Sequence, residues 1–325
     1  MTPGLGGVYR RGMSRILEGL NDAQLEAVTH GEGPQLILAG AGSGKTRVIT
    51  HRVAWLTEQG VSPEDILCVT FTNRAAGELK ERLSSLLGTS VARNVSAGTF
   101  HSFGLRVLRA HAQAAGLPAR FTVVDAGDQL GLLRRLLRQR GVARGVELRD
   151  VAGAISRAKR ELIGPEDYRP SATAGGAYAA EVYGPYRDAL AAMGGVDFDD
   201  LIMMPVQLME RDGEVLESLR RRHPWVLVDE FQDTSSVQLR LVRSLSGPGG
   251  NLTAVGDDDQ SIYGWRGADS RNVREFEDHF PGARITTLER NYRSTSAILD
   301  AANAVIEEAP GRRPKRLWTD EGDGR

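Results

Sequence analysis

Seven consecutive residues, Gly40-Ala41-Gly42-Ser43-Gly44-Lys45-Thr46, carry the chemistry needed to grip a polyphosphate. Glycines let successive backbone N–H groups turn toward one anion, and a helix starting there adds the positive end of its dipole. The Lys45 ammonium offers a point charge for β- and γ-phosphates, and the Thr46 hydroxyl a hard oxygen for Mg²⁺. Ala39 stands where the general phosphate-loop pattern has Gly. The apolar run before it and the amphipathic stretch after it supply the strand–turn–helix setting that the pattern requires. Arg47 follows directly and is counted with the nucleotide-contacting residues.

A phosphate loop needs an acidic partner at the end of a neighbouring strand. The apolar run Trp225 to Val228 leads straight into Asp229-Glu230. Asp229 is assigned to Mg²⁺, and Glu230 to orienting or deprotonating the attacking water. A third run, Leu252 to Val255, ends in Gly256-Asp257-Asp258-Asp259-Gln260, where the Gln260 amide is placed to sense a γ-phosphate. Next come Tyr263, Trp265 and Arg266 between glycines. Aromatics and a cation so placed suit stacking on unpaired bases. Trp265 also has a plainer reading as a core residue, but its glycine neighbours make a packed strand a poor fit. Phe71 and Asn73, and separately His101, lie at the ends of two further apolar runs. In open α/β sheets, ligands gather beyond the carboxyl ends of the strands.

Apolar runs must position these groups: Gln35 to Ala39, Ile66 to Phe71, Asn94 to Phe100, Trp225 to Val228, Leu252 to Val255 and Ile285 to Leu288. They alternate with helical patterns, as in a parallel sheet covered on both faces. From Arg106 to Gly195 the periodicity is mostly helical, with 14 basic and 9 acidic residues. Nine of those basic residues fall between Arg134 and Arg160, against only Glu147 and Asp150. That stretch reads either as a solvated helix face or as a track for phosphates. The segment after Glu307 is Pro-rich, basic, then acidic, without a core pattern.

At 325 residues with 41% hydrophobic positions, the chain has length for about two domains. With 41 basic and 42 acidic residues, net charge alone points to no polyanion. The single cysteine, Cys68, sits in an apolar run and reads as a small buried hydrophobe. No run approaches a membrane span, and Met1 to Arg15 lacks the apolar core of a secretory signal, so the cytoplasm is the default compartment. The Gly-rich opening leaves Met13 as an alternative start.

These motifs together, in order, resemble the UvrD/Rep/PcrA group of superfamily 1 DNA helicases over essentially the whole chain. Leu20 to Gln24 is similar to the family's Q motif, Ala39 to Thr46 to motif I, where Ala39 is the family's own form, and Val69 to Ala76 to motif Ia. Gly98 to Phe103 resembles motif Ib, Val228 to Thr234 motif II, Val255 to Ala268 motif III and Leu288 to Ser294 motif IV, while Asp197 to Leu201 resembles a further family segment. Gly264 departs from the bulkier or charged residue common at that place.

The resemblance implies a RecA-like α/β domain (1–108 and 196–280), an inserted basic helical subdomain (109–195) and the beginning of a second RecA-like domain (281–325). It implies ATP and Mg²⁺ as ligands, with Gln24 reading adenine, Tyr292 stacking on it and Arg293 reaching across a cleft to the γ-phosphate. Phe71, Asn73, His101, Tyr263, Trp265 and Arg266 then line a path for single-stranded DNA, the insert meets strand or duplex backbone, and single/double-strand junctions are partners. The implied activity is 3′ to 5′ translocation or unwinding. The family's motifs V and VI, with a second arginine, do not occur in these residues, so little unwinding is expected of them alone. A non-unwinding nucleotide-dependent DNA-binding module and the motor of a helicase–nuclease are the alternatives.

Overall fold

The computed structural model describes residues 14–142, 146–309 and 311–323, with Arg266 described by its backbone alone. Met13 and the opening residues lie outside them. The apolar runs form strands β1 (Gln35–Ala39), β2 (Ile66–Thr70) and β3 (Ser96–Thr99), a short pair β4 (Thr122–Val123) and β5 (Gly195–Val196), then β6 (Trp225–Val228), β7 (Asn251–Gly256) and β8 (Arg284–Leu288). Six of them make one sheet in the order β3-β2-β6-β7-β1-β8, every pairing parallel.

β1 and β2 are buried at every position, because helices cover both faces. Alternation along a strand divides the side chains between two cores. Leu36 and Leu38 pack with Phe103, Leu108 and Phe231 on one face. Ile37 and Ala39 pack with Val48, Ile49, Val53 and Leu79 on the other. Cys68 belongs to the second core, and burial pushes its thiol pKa far up, so it is an inert hydrophobe.

Helices Ala126–Gln139, Leu148–Arg160 and Ala174–Ala192 surround a third core, including Leu133, Ile155, Val182 and Tyr186. Phe121 packs in the main core, whereas Val124 belongs to the third. Arg134, Arg135 and Arg138 lie exposed on the first of these helices. Lys159, counted with them from sequence, is buried: it donates to Asp197 at 2.6 Å and Asp200 at 2.7 Å. It is a tie between insert and main domain, not part of a phosphate track.

The last forty residues pack in ways that their sequence does not announce. β8, assigned from sequence to the start of a second domain, pairs with β1 from Gln35↔Arg284 to Ala39↔Leu288. Five residues cannot announce which sheet they join, and β1 had an open edge to fill. The segment after Glu307, which lacks an apolar pattern, is nonetheless packed: Lys315 is buried, and Leu317 covers Gly40 closely enough that a Cβ there would sit 2.2 Å from its Cδ2. Among the described residues no helix is long and apolar enough to cross a membrane.

Candidate nucleotide and single-strand sites

Because all six strands run parallel, their carboxyl ends meet at one edge of the sheet, and each motif leaves the sheet there. β1 runs into the phosphate loop, which turns left-handed at Gly42 (φ 68°) and Gly44 (φ 95°) before the helix Lys45–Glu58. A Cβ at Gly42 would come within 2.6 Å of Asn291 Nδ2. Only glycine allows both this conformation and this approach. Asn291, which sequence reasoning passed over, donates to Ala41 O at 2.6 Å and accepts from the N–H groups of Arg293 and Ser294. Tyr292 N–H donates to Gly42 O at 3.0 Å. The turn after β8 therefore clasps the phosphate loop.

A cavity of 340 Å³ opens over this loop, lined by Gly40, Ala41, Gly42, Gly44, Lys45, Thr46 and Arg47 together with Glu230, Gln260, Tyr292 and Arg293. Arg82, which carries no local sequence signal, completes the lining. Ala39 and Ser43 are buried beneath; the Lys45 ammonium donates to Ala39 O at 3.2 Å. Arg293 stands beside the phosphate loop, on the turn that follows β8. Tyr292 is 46% exposed, with the Arg290 guanidinium 5.1 Å from its ring centroid.

Gln24 is fully buried and does not line the cavity. Its amide closes a capping box with Asn21 and donates to Ser43 O at 2.9 Å, bracing the phosphate loop from behind. Asn21 to Gln24 has capping-box spacing, so this use was readable beside the nucleotide one.

Asp229 is 5% exposed, and its pKa is pushed up to about 7, by burial first and by Glu230 second. Asp233 is raised to about 6 for the same two reasons, and Lys45 draws both back. Glu230 itself holds a left-handed backbone (φ 52°, ψ 48°). Buried Gln232 fixes its carboxylate, donating to Glu230 Oε2 at 2.8 Å while its Oε1 accepts from Asp257 N–H at 3.0 Å.

A second concavity, of 560 Å³, lies between the sheet edge and the helical insert. Phe71, Asn73, His101 and Trp265 line it, and so do Ser156 and Arg160 from the insert and Phe198 and Asp199 before helix Asp200–Arg211. Phe71 stacks on Tyr263 at 5.3 Å, and His101 on Phe198 at 3.8 Å. Burial lowers the His101 pKa to about 4, so a neutral imidazole faces the groove. Trp265 is 74% exposed, which excludes the core reading. The side chain of Arg266 lies outside the described residues.

Residues 20–281 match the family described as UvrD/REP helicase N-terminal domain. The chain is 46% identical over 316 residues to the ATP-dependent DNA helicase PcrA of Bacillus subtilis (strain 168), covering 96% of this chain and 42% of that protein. It is 45% identical over 312 residues to PcrA of Leuconostoc citreum, covering 95% of this chain and 42% of the relative. For PcrA of Staphylococcus aureus (strain Mu50 / ATCC 700699) the identity is 46% over 315 residues, with 96% and 43% coverage. The chain thus spans well under half the length of these relatives, and its α/β sheet with a phosphate loop is the fold such kinship requires. It belongs to the UvrD/REP helicase family.

Proposed function

We propose that this chain is the ATP-binding part of a DNA helicase or translocase, taking ATP with Mg²⁺ in the 340 Å³ cavity and single-stranded DNA in the aromatic groove. One observation carries the reading. A single loop, from Asp257 to Trp265, sends Gln260 into the first concavity and Trp265 into the second. The relatives' name, ATP-dependent DNA helicase, agrees with both ligands. Travel from 3′ to 5′, and action at single/double-strand junctions, are part of this proposal and rest on the motif resemblance.

The donor set fits a hard divalent cation. Thr46 and Asp229 offer oxygen ligands, and burial beside Glu230 raises Asp229 to about 7 despite Lys45, so a further cation would favour its carboxylate form. These two residues would hold Mg²⁺, which supplies positive charge to the phosphate oxygens when bound. Lys45 and the loop N–H groups hold the β- and γ-phosphates. Glu230 Oε1 or Oε2 takes a proton from water as the water oxygen bonds to the γ-phosphorus. The bond from that phosphorus to the bridging oxygen breaks, and ADP leaves with the electron pair. Gln260, Arg293 and Arg82 line the same cavity and would meet charge on the transferring group; one such arginine contributes about 10³–10⁵ in rate. Exposed Arg134, Arg135 and Arg138 add a salt-dependent pull on strand phosphates.

Phosphate release, followed with and without a thymidine oligonucleotide, tests the proposal. A slow basal rate raised by the strand is expected. Binding of both ligands with no release under either condition would overturn the hydrolytic assignment and leave a nucleotide-dependent strand-binding module.

A further inference from the structure

Asp257, Asp258 and Asp259 bring their carboxylates within 4.8 Å of one another. Carboxylates this close repel one another, and a cation among them relieves the repulsion. Here the cation is internal. The Lys315 ammonium, 2% exposed, lies 2.9 Å from Asp257, 2.6 Å from Asp258 and 2.8 Å from Asp259. Arg312 adds a two-pronged pair with Asp259 at 3.0 and 2.9 Å, and Arg313 N–H donates to Asp258 at 2.7 Å.

The same segment reaches the other side of the nucleotide cavity. Trp318 N–H donates to Glu289 O at 3.0 Å, and its carbonyl accepts from Asn291 N–H at 2.7 Å. Asn291 in turn holds Ala41 of the phosphate loop. From Asp257 the chain of contacts runs back through Gln232 to Glu230, and the Gln260 amide bonds to Asp257. A chain of hydrogen bonds and ion pairs thus runs from the phosphate loop around to Glu230, and Lys315 is the link between its two halves.

We propose that Lys315 is a positioning residue that makes nucleotide binding and single-strand binding energetically dependent on each other. It ties the loop bearing both Gln260 and Trp265 to the segment that braces the phosphate loop. The inference rests on the nucleotide and strand assignment above. Beside the direct pairing of β1 with β7, these ties give a shift of the phosphate loop toward bound phosphates a route through Asn291, residues 315–318 and Lys315 to the Asp257–Asp259 turn, and so to the stacking aromatics. Coupling of this kind is reciprocal between the two ligands.

The test measures affinity of the full chain for a labelled thymidine oligonucleotide by anisotropy, with and without a non-hydrolysable ATP analogue and Mg²⁺. The parent's affinity should change with nucleotide by about 5–150-fold. Lys315→Met should bind each ligand alone about as the parent does, yet bring the ratio close to one, while Lys315→Arg keeps much of the parent's ratio. An unchanged ratio in Lys315→Met, or a ratio of one in a parent that binds both ligands, overturns the proposal. Should Lys315→Met fail to fold, by circular dichroism, Arg312→Ala removes one tie and leaves Lys315; its ratio should fall part of the way, and no change again overturns the proposal. A parent that binds neither ligand overturns the nucleotide and strand assignment itself, and the coupling with it.

Discussion

Glu230 occupies a left-handed backbone position that costs a side chain about 1–3 kcal/mol, and it stays there because Gln232, Asp229 and the following turn determine its place. That strain aims a carboxylate into a cavity with Lys45 and Thr46. Glu230→Gln retains the shape and removes the proton acceptor. Single-turnover hydrolysis should slow by about 10²–10⁴, with nucleotide affinity kept; full turnover in the variant would remove Glu230 from the chemistry. Trp265 tests the other concavity. Since it is 74% exposed, Trp265→Ala should leave the melting temperature unchanged. It should weaken oligonucleotide binding by about 1–3 kcal/mol regardless of sequence. Unfolding of the variant, or unaltered binding, would exclude the stacking role. At this scale the sequence was informative where a motif joins residue types that only one chemistry needs together, as at Gly40 to Thr46. It was least so for polar residues that serve other polar residues. Gln232 and Asn291 stand inside the quoted motifs, yet nothing in their spacing says which atoms they hold.

Among elements, helices Phe100–Ala110 and Asp200–Arg211 approach one another closely at Gly104. A Cβ at Gly104 would lie 1.7 Å from Leu201 O, a backbone atom that cannot swing away. Gly104→Ala should therefore force the helices apart and cost about 1–3 kcal/mol or more, as overpacking does. Because Phe198 and Ile202, which line the strand groove, flank that contact, oligonucleotide affinity should fall too. Urea unfolding checks the first effect; a midpoint equal to the parent's would refute the crossing. The six strands of the main sheet were legible as apolar runs, to within a residue or two, since a strand buried on both faces has to be apolar throughout, whereas the short pair β4 and β5 was not read. Which sheet β8 joins was not legible, because pairing is settled by an open edge far away in sequence. The packed segment from Arg312 to Trp318 was missed for a different reason: its anchor is a buried ammonium among carboxylates, and hydropathy patterns register only apolar burial.

For the whole molecule, stability against pH carries a signature of the packed sheet. His223, between helix Gly213–Arg222 and β6, has its pKa lowered from 6.5 to about 4, by burial first and then by Arg222 and Arg106. The unfolded chain takes up a proton near pH 6.5 that the folded chain refuses until about pH 4. Its contribution to stability is thus fully present above pH 6.5 and is lost as pH falls toward 4. At about 1.4 kcal/mol per pH unit this is on the order of 3 kcal/mol. Asp229, raised to about 7, acts in the opposite sense over an overlapping range, so the comparison must be between parent and variant. His223→Gln should flatten the fall in melting temperature between pH 6.5 and 4; parallel curves would contradict the assignment.

The account as a whole stands on one claim, that the turn from Gly40 to Thr46 grips the phosphates of ATP. Lys45 is half-buried at the mouth of the cavity and supports no core, so its removal leaves the fold in place. Titration calorimetry of ATP with Mg²⁺ into the parent and into Lys45→Ala is the most direct measurement. Loss of a charge-assisted contact worth about 1.5–3 kcal/mol should weaken binding roughly 10- to 150-fold in a variant whose circular dichroism matches the parent's. Equal affinity in the two proteins, or no binding to the parent, would contradict the claim.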